Sequence, residues 1–313
     1  MAWLLFRAFL LIILLGAIQV VSAQQLPYLD YNPPIENPAY KKGEGPLVGI
    51  DEAHTNFHTA TGRYAAFANL IMRDGYRVAQ VKKAFSEKQL SALDILVIAN
   101  PIHQSNDRNW KLPTPSAYTD EEIAAVKAWV EQGGSLFLIL DHMPFPGGGG
   151  KLAEAFGFNF SNGFAYLGSS LGSEPDEFKP GAGLLDCVIT QGRDEGERVT
   201  KMVTFTGSAF LPPEEAIQVL VFPEKSVSKE PKEAWKFVKG TKELDISGWC
   251  QGAVMGFGQG RVAVFGEAAS FTAQLAGPQK RRMGMAADHA DQNYQLLLNV
   301  MHWLSDLEGL SDV

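Results

Sequence analysis

The stretch Pro46-Leu47-Val48-Gly49-Ile50-Asp51-Glu52-Ala53-His54 decides how the rest of the chain is read. It opens as a short apolar run, suited to a strand buried on both faces, and closes on two carboxylates and an imidazole. The next hundred residues fit a parallel sheet covered by helices. Between residues 63 and 73 the apolar Ala66, Phe67, Leu70 and Ile71 recur at helical spacing, and Gly75 stops the run. Residues 76–81 predict a second strand. Ser86 and Gln89 are spaced as a capping box for a short helix, and residues 95–99 supply a third strand. Thr119 and Glu122 form another capping box. It opens a helix that runs through Gln132 to Gly133-Gly134, ahead of a fourth strand at 135–140. This alternation predicts a doubly wound, mostly parallel α/β sheet of flavodoxin-like type with right-handed crossovers.

Outward from that core the pattern changes. Residues 24–45, rich in Pro, Tyr and Asn, read as an extended arm leading into the domain, whose first part spans 46–158. In 159–249, Gly, Pro and charged residues interrupt short β-like runs such as 199–205 and 217–222, which predicts a β-rich or irregular insertion. Regular structure returns over 250–305, with strands at 252–256 and 261–265 and a helix from 288 to 304, before a tail at 306–313.

The first residues carry Arg7, an uncharged apolar run over 8–21 and the small-residue pattern Val21-Ser22-Ala23, the layout of a secretory signal peptide cleaved after Ala23. The competing reading is an uncleaved anchor, which the glutamines Gln19, Gln24 and Gln25 oppose. Export places the protein in the periplasm or outside the cell, and no later stretch is long and apolar enough to span a bilayer. Cleavage removes one base and no acid, leaving 26 basic against 35 acidic residues, a net charge of −9. Such a surface repels phosphate backbones, so a nucleic-acid partner is not expected. Cys187 and Cys250 form one disulfide or stay as free thiols; both readings stay open, and two cysteines exclude a zinc-thiolate scaffold.

Residues 48–54 followed by Gly62-Arg63-Tyr64, together with 136–141, resemble the class I glutamine amidotransferase-like superfamily. The likeness is to the domains of gliding-associated transporter components, intraflagellar transport proteins and trehalose-utilisation-like proteins. Residues 260–267 and 293–304 are similar to the closing strand and helix of that group. The resemblance implies a nucleophilic Cys on the turn after a central strand. Here that turn reads Asp141-His142-Met143-Pro144, and neither group forms a thioester, so glutaminase activity is not expected.

In such a sheet, ligands bind beyond the carboxyl ends of the strands. The groups placed there are Asp51, Glu52 and His54, then Asn100 and His103, then Asp141 and His142, then Glu267 and Ser270. These are the candidate ligand-binding residues, with Asp141, His142 and His54 the candidates for catalysis. His54 and His58 share one face if their segment is helical, and with Asp51 and Asp141 they are the candidate ligands of a divalent metal ion. The competing reading is that the same residues cap strands and bond to one another. His302 reads as a structural histidine, and Asp288 as a residue suited to a helix N-terminus. The loop 101–118, with Trp110, is placed to act as a lid.

Three motif matches are set aside. The string at 168–172 fits a nucleophile elbow, but Gly172, Pro175, Pro180 and Gly181 oppose the helix an elbow needs. Gly147 to Gly150 with Lys151 lacks the remaining P-loop residues, and the glycines of 256–260 serve a turn between strands. Together these readings predict an exported binding domain for a small polar, carbohydrate-like ligand. The alternatives are a metal-assisted hydrolase and a scaffold for envelope protein partners.

Overall fold

The computed structural model describes residues 25–168 and 175–307. The predicted leader, the serine string beyond Gly168 and the last six residues of the tail lie outside the described residues.

Four strands come first: β1 (Leu47–Asp51), β2 (Arg77–Val81), β3 (Ile95–Ala99) and β4 (Ser135–Ile139). Three more close the main sheet: β5 (Ile217–Val221), β6 (Cys250–Phe257) and β7 (Gly260–Phe265). The helices are α1 (Ala65–Arg73), α2 (Glu87–Leu90), α3 (Asp120–Glu131), α4 (Phe145–Glu154) and α5 (Asn293–Leu304). The parallel strands run in the order β2-β1-β3-β4-β7, which is the flavodoxin-like arrangement with its switch point between β1 and β3. Beyond β7 the sheet continues antiparallel through β6 and β5.

The strands are apolar throughout because both faces are covered. On β4, Phe137 and Ile139 join α1 and α5 in one core, while Leu136 and Leu138, with Leu140 just beyond the strand, join α3 and α4 in the other. Phe137 is fully buried, and its truncation to Ala would cost about 3–5 kcal/mol through lost burial plus the cavity left behind.

The insertion does more than decorate the fold. Asp176–Pro180, Gly183–Leu184 and Met202–Thr204 extend the main sheet past β5. Phe164–Tyr166, Val227–Glu230 and Lys242–Asp245 form a separate antiparallel sheet. The N-terminal arm begins as a strand, Gln25–Pro27, paired with Ala273–Ala276.

Two local expectations are corrected, and one run set aside for another reason finds its place. Helix α3 has its full capping box, but Ser86 makes no side-chain cap at α2, where its carbonyl receives the N–H of Gln89 instead. The glycine run 147–150, set aside as a failed P-loop, lies inside α4. A Cβ at Gly148 would stand 2.2 Å from the carbonyl oxygen of Pro101, so glycine here lets the helix sit directly on the loop 101–118. The final helix starts at Asn293, leaving Asp288 and His289 in the exposed segment before it. Both cysteines are free, and burial on β6 pushes the Cys250 thiol up to about 12.

Among the described residues no helix is long and apolar enough to cross a membrane.

Candidate functional site

The carboxyl ends of β1, β3, β4 and β7 bring Asp51, Asn100, Asp141 and Glu267 to one edge, as the alternation predicts. They do not form one cluster. Side-chain direction divides them into two networks.

The first surrounds His54. Its Nδ1 lies 2.9 Å from both oxygens of Asp51, and its Nε2 lies 2.8 Å from Glu122 at the start of α3. Asp51, fully buried, also accepts from Asn56 Nδ2 at 3.0 Å and from the Tyr118 hydroxyl at 3.1 Å. Burial alone would lower the His54 pKa, but the hydrogen bond and charge of Asp51, and then of Glu122, raise it above its ordinary value. Burial alone would raise Glu122, yet the Thr119 N–H, His54 and the Phe85 N–H hold it below. This is a saturated imidazolium held between two carboxylates, packed under Phe85 and Tyr118, and it fastens β1 to α3.

The second network lines a cleft of about 190 Å³. Asn100, with φ 52°, accepts the Asp141 N–H at 2.9 Å and donates its Nδ2–H to His58 Nδ1 at 3.2 Å. That bond fixes His58 as the Nε2–H tautomer. Burial, with Arg63 and His142 adding, keeps its pKa well below the ordinary imidazole value. Asp141 accepts from the backbone N–H of His142 at 2.7 Å and of Ala268 at 3.3 Å. His142 donates Nδ1–H to the carbonyl of Met143 at 2.7 Å, which leaves Nε2 as an acceptor. Glu267 receives three backbone N–H bonds, from Phe205, Thr206 and Ala269. Full burial and the neighbouring charge of Asp141 nevertheless lift it well above the usual carboxylate range.

Aromatic groups wall this floor. Phe57 and Phe145 stand on one side with Trp110 packed on both, at 5.2 and 5.3 Å between ring centres. Trp235, half-exposed and at φ 66°, also lines the cleft, its ring centre 4.7 Å from that of His142. The segment carrying Trp235 is tied to the loop 101–118 by Leu112 N–H to Lys232 O and Ala234 N–H to Trp110 O, so the expected lid and the insertion form one rim.

Several sequence candidates are placed elsewhere. Glu52 turns toward β2, accepting from Ala60 N–H and Gln80. His103 caps the turn Gln104–Asn106 and contributes nothing to the cleft lining. Ser270 is buried and donates to the carbonyl of Val203. Residues 52–59 form bends and irregular loop and not helix, so His54 and His58 do not share a helix face. The four metal candidates are thereby divided, Asp51 and His54 in one network and His58 and Asp141 in the other. Among the described residues no group of three or more His, Cys, Asp or Glu is arranged to hold a metal ion. His302 is structural as expected, with Nε2 at 2.7 Å from Asp74. Tyr118, Glu122, Phe57, Phe145 and Trp235 were missed. Glu122 announced itself only as a capping residue, and the aromatics carry no spacing signal.

A larger open depression, about 530 Å³, lies at the opposite ends of the strands beside Pro46, Asp94, Ser135 and Arg261. We place the site at the smaller cleft, because loops at the carboxyl ends of a parallel sheet converge at the switch point while those at the other end do not.

No family model matches the chain, and no curated protein matches it. Among solved structures it is similar to the mmIFT52 N-terminal domain, with 15% identity over 85% of this chain and 99% of that one and a TM-score of 0.57. A putative ThuA-like protein from Bacteroides uniformis gives 12% identity over 85% of this chain and 94% of that one, with a TM-score of 0.45. A cytoplasmic protein from Salmonella typhimurium gives 14% identity over 83% of this chain and 99% of that one, with a TM-score of 0.43. The first likeness shows the fold alone, the doubly wound α/β sheet described above.

Proposed function

We propose that this chain is an exported, amidotransferase-like domain without glutaminase activity that binds a small polar, carbohydrate-like ligand in the strand-end cleft. The observation that carries this reading is the pairing of a polar floor, Asp141, His142, His58 and Asn100, with the aromatic walls Phe57, Phe145 and Trp235. Ligand sites characteristically combine apolar walls with a few converging polar groups, and a half-exposed indole offers a flat face to the C–H side of a sugar ring. Asp141 and His142 stand where the resemblance implies a thiol, which supports the absence of glutaminase chemistry. Residues 1–23 support export.

Thermal unfolding of the protein in the presence of sugars and peptidoglycan fragments tests this. A ligand at a hundred times its Kd stabilises by about 2.7 kcal/mol, a shift of several degrees. Absence of any shift across the panel at tens of millimolar would sink the proposal.

A further inference from the structure

The hydrogen-bond polarity of the cleft floor narrows the ligand class, on the footing that the cleft is a binding site. Three groups on this floor have their roles fixed by the chain itself. His58 is 3% exposed, and its Nδ1 is occupied by Asn100, so it offers Nε2–H and nothing else. Nε2 has no hydrogen-bond partner among the described residues. His142 is committed through Nδ1–H to Met143 O, so in its neutral form it offers the Nε2 lone pair. Asp141 offers carboxylate lone pairs beyond those that receive the N–H groups of His142 and Ala268. A donor, a neutral acceptor and a charged acceptor therefore share one small cleft. Hydroxyl groups both donate and accept, so neighbouring hydroxyls can satisfy all three.

Charge points the same way. Among the described residues, those lining the cleft include no Lys or Arg. Arg63, the cation behind His58, stacks over the Phe57 ring at 3.7 Å and bonds to Phe57 O and Gln25 Oε1. An anionic ligand would meet the Asp141 carboxylate with no facing cation to offset it.

We infer that the cleft takes an uncharged ligand with neighbouring hydroxyl groups, a neutral sugar or polyol, and discriminates against phosphorylated and carboxylated counterparts. The charge of Asp141, next to a desolvated wall, sets the penalty on an anion at about tenfold or more in affinity.

The test is titration calorimetry on the full chain with glucose, galactose and mannose, each compared with its uronic acid, its 6-phosphate and its 2-amino derivative. The expected result is binding of at least one neutral sugar, with its acidic counterparts about tenfold weaker or worse. In Asp141→Asn the gap between neutral and acidic members should narrow, which a merely structural role for Asp141 would not produce. An acidic member that binds as well as its neutral parent overturns the inference and leaves the binding reading standing. An amino sugar that binds more than tenfold tighter than its parent also overturns it, since the carboxylate would then serve as a counter-ion. Binding of no member removes the binding reading itself, and the inference with it.

Discussion

The Nε2 of His54 stands 2.8 Å from Oε1 of Glu122, sixty-eight residues away in the chain, while its Nδ1 faces Asp51. The pair ties the first strand to the first turn of α3, so its removal should be felt as stability. Glu122→Gln keeps the shape but loses the charge-assisted bond, and about 1–3 kcal/mol should go with it. The loss should depend on pH. His54, raised above its ordinary 6.5, contributes fully below that value, and its share fades as pH climbs through the raised one. Glu122, held below its ordinary 4.5, contributes above that value, and its share is lost on acidification. Melting curves of wild type and variant should therefore lie furthest apart between about pH 5 and 6.5 and draw closer as pH climbs through the raised His54 value. A constant gap across that range would show that the pair is not ionised as drawn.

How much of this was legible in the sequence depends on whether the cause is local. The strands 47–51 and 95–99 and the capping box Thr119–Glu122 are set by neighbouring residues, and they stand where the pattern places them. That Asp51, Asn100, Asp141 and Glu267 reach one edge follows from parallel alternation alone. Which way each side chain turns does not. Asp51 is drawn to His54 and Tyr118, and Asp141 to backbone N–H groups, so one expected cluster became two. Asp141 meets His142 through the backbone N–H of that residue and not through its imidazole. Helix α4 had no apolar period to announce it, and the reason for Gly147 and Gly148 lies in the loop 101–118, which the helix packs against.

The glycines of α4 are not equivalent. A Cβ at Gly148 would meet the Pro101 carbonyl at 2.2 Å, backbone that cannot step aside, whereas at Gly150 it would meet nothing within 4 Å. Gly148→Ala should destabilise by about 1–3 kcal/mol through overpacking. Gly150→Ala should stabilise by about 0.5–1 kcal/mol through helix propensity. Chemical denaturation of the two variants checks both signs; equal effects would contradict the packing of α4 on the loop 101–118.

Asp74 closes a second buried network. It accepts from His302 Nε2 at 2.7 Å and from the Ala39 N–H at 2.8 Å, joining α5 to the N-terminal arm. Asp74→Asn leaves the buried His302 facing a neutral amide on its Nε2 side, with Glu197 Oε2 still 3.7 Å from its Nδ1. A cost of about 1–3 kcal/mol is expected, as for a lost charge-assisted hydrogen bond, because Glu197 still faces the imidazole. The arm should become easier to cut, so limited proteolysis read by mass spectrometry should show new cleavage within residues 28–45. Unchanged stability together with an uncut arm would remove Asp74 from this role.

The last prediction concerns Asp141 and Glu267, two acids at the ends of adjacent strands. Burial first, and the charge of Asp141 second, raise Glu267 well above its ordinary value of 4.5. A carboxyl group raised in the folded state favours folding while protonated, so stability should fall as pH rises above about 4.5 toward the raised folded value. Replacing Asp141 by Asn removes the repelling charge and should flatten that slope. It also turns one acceptor toward the Ala268 N–H into a donor, and at low pH, where relief of repulsion brings nothing, the variant should be weaker by about 1–2 kcal/mol. The two effects oppose each other, so the urea midpoints of variant and wild type should approach one another as pH rises from 4.5 to 8. Parallel curves would mean that the Asp141 charge is not felt at Glu267, and the electrostatic picture of the cleft floor would have to be redrawn.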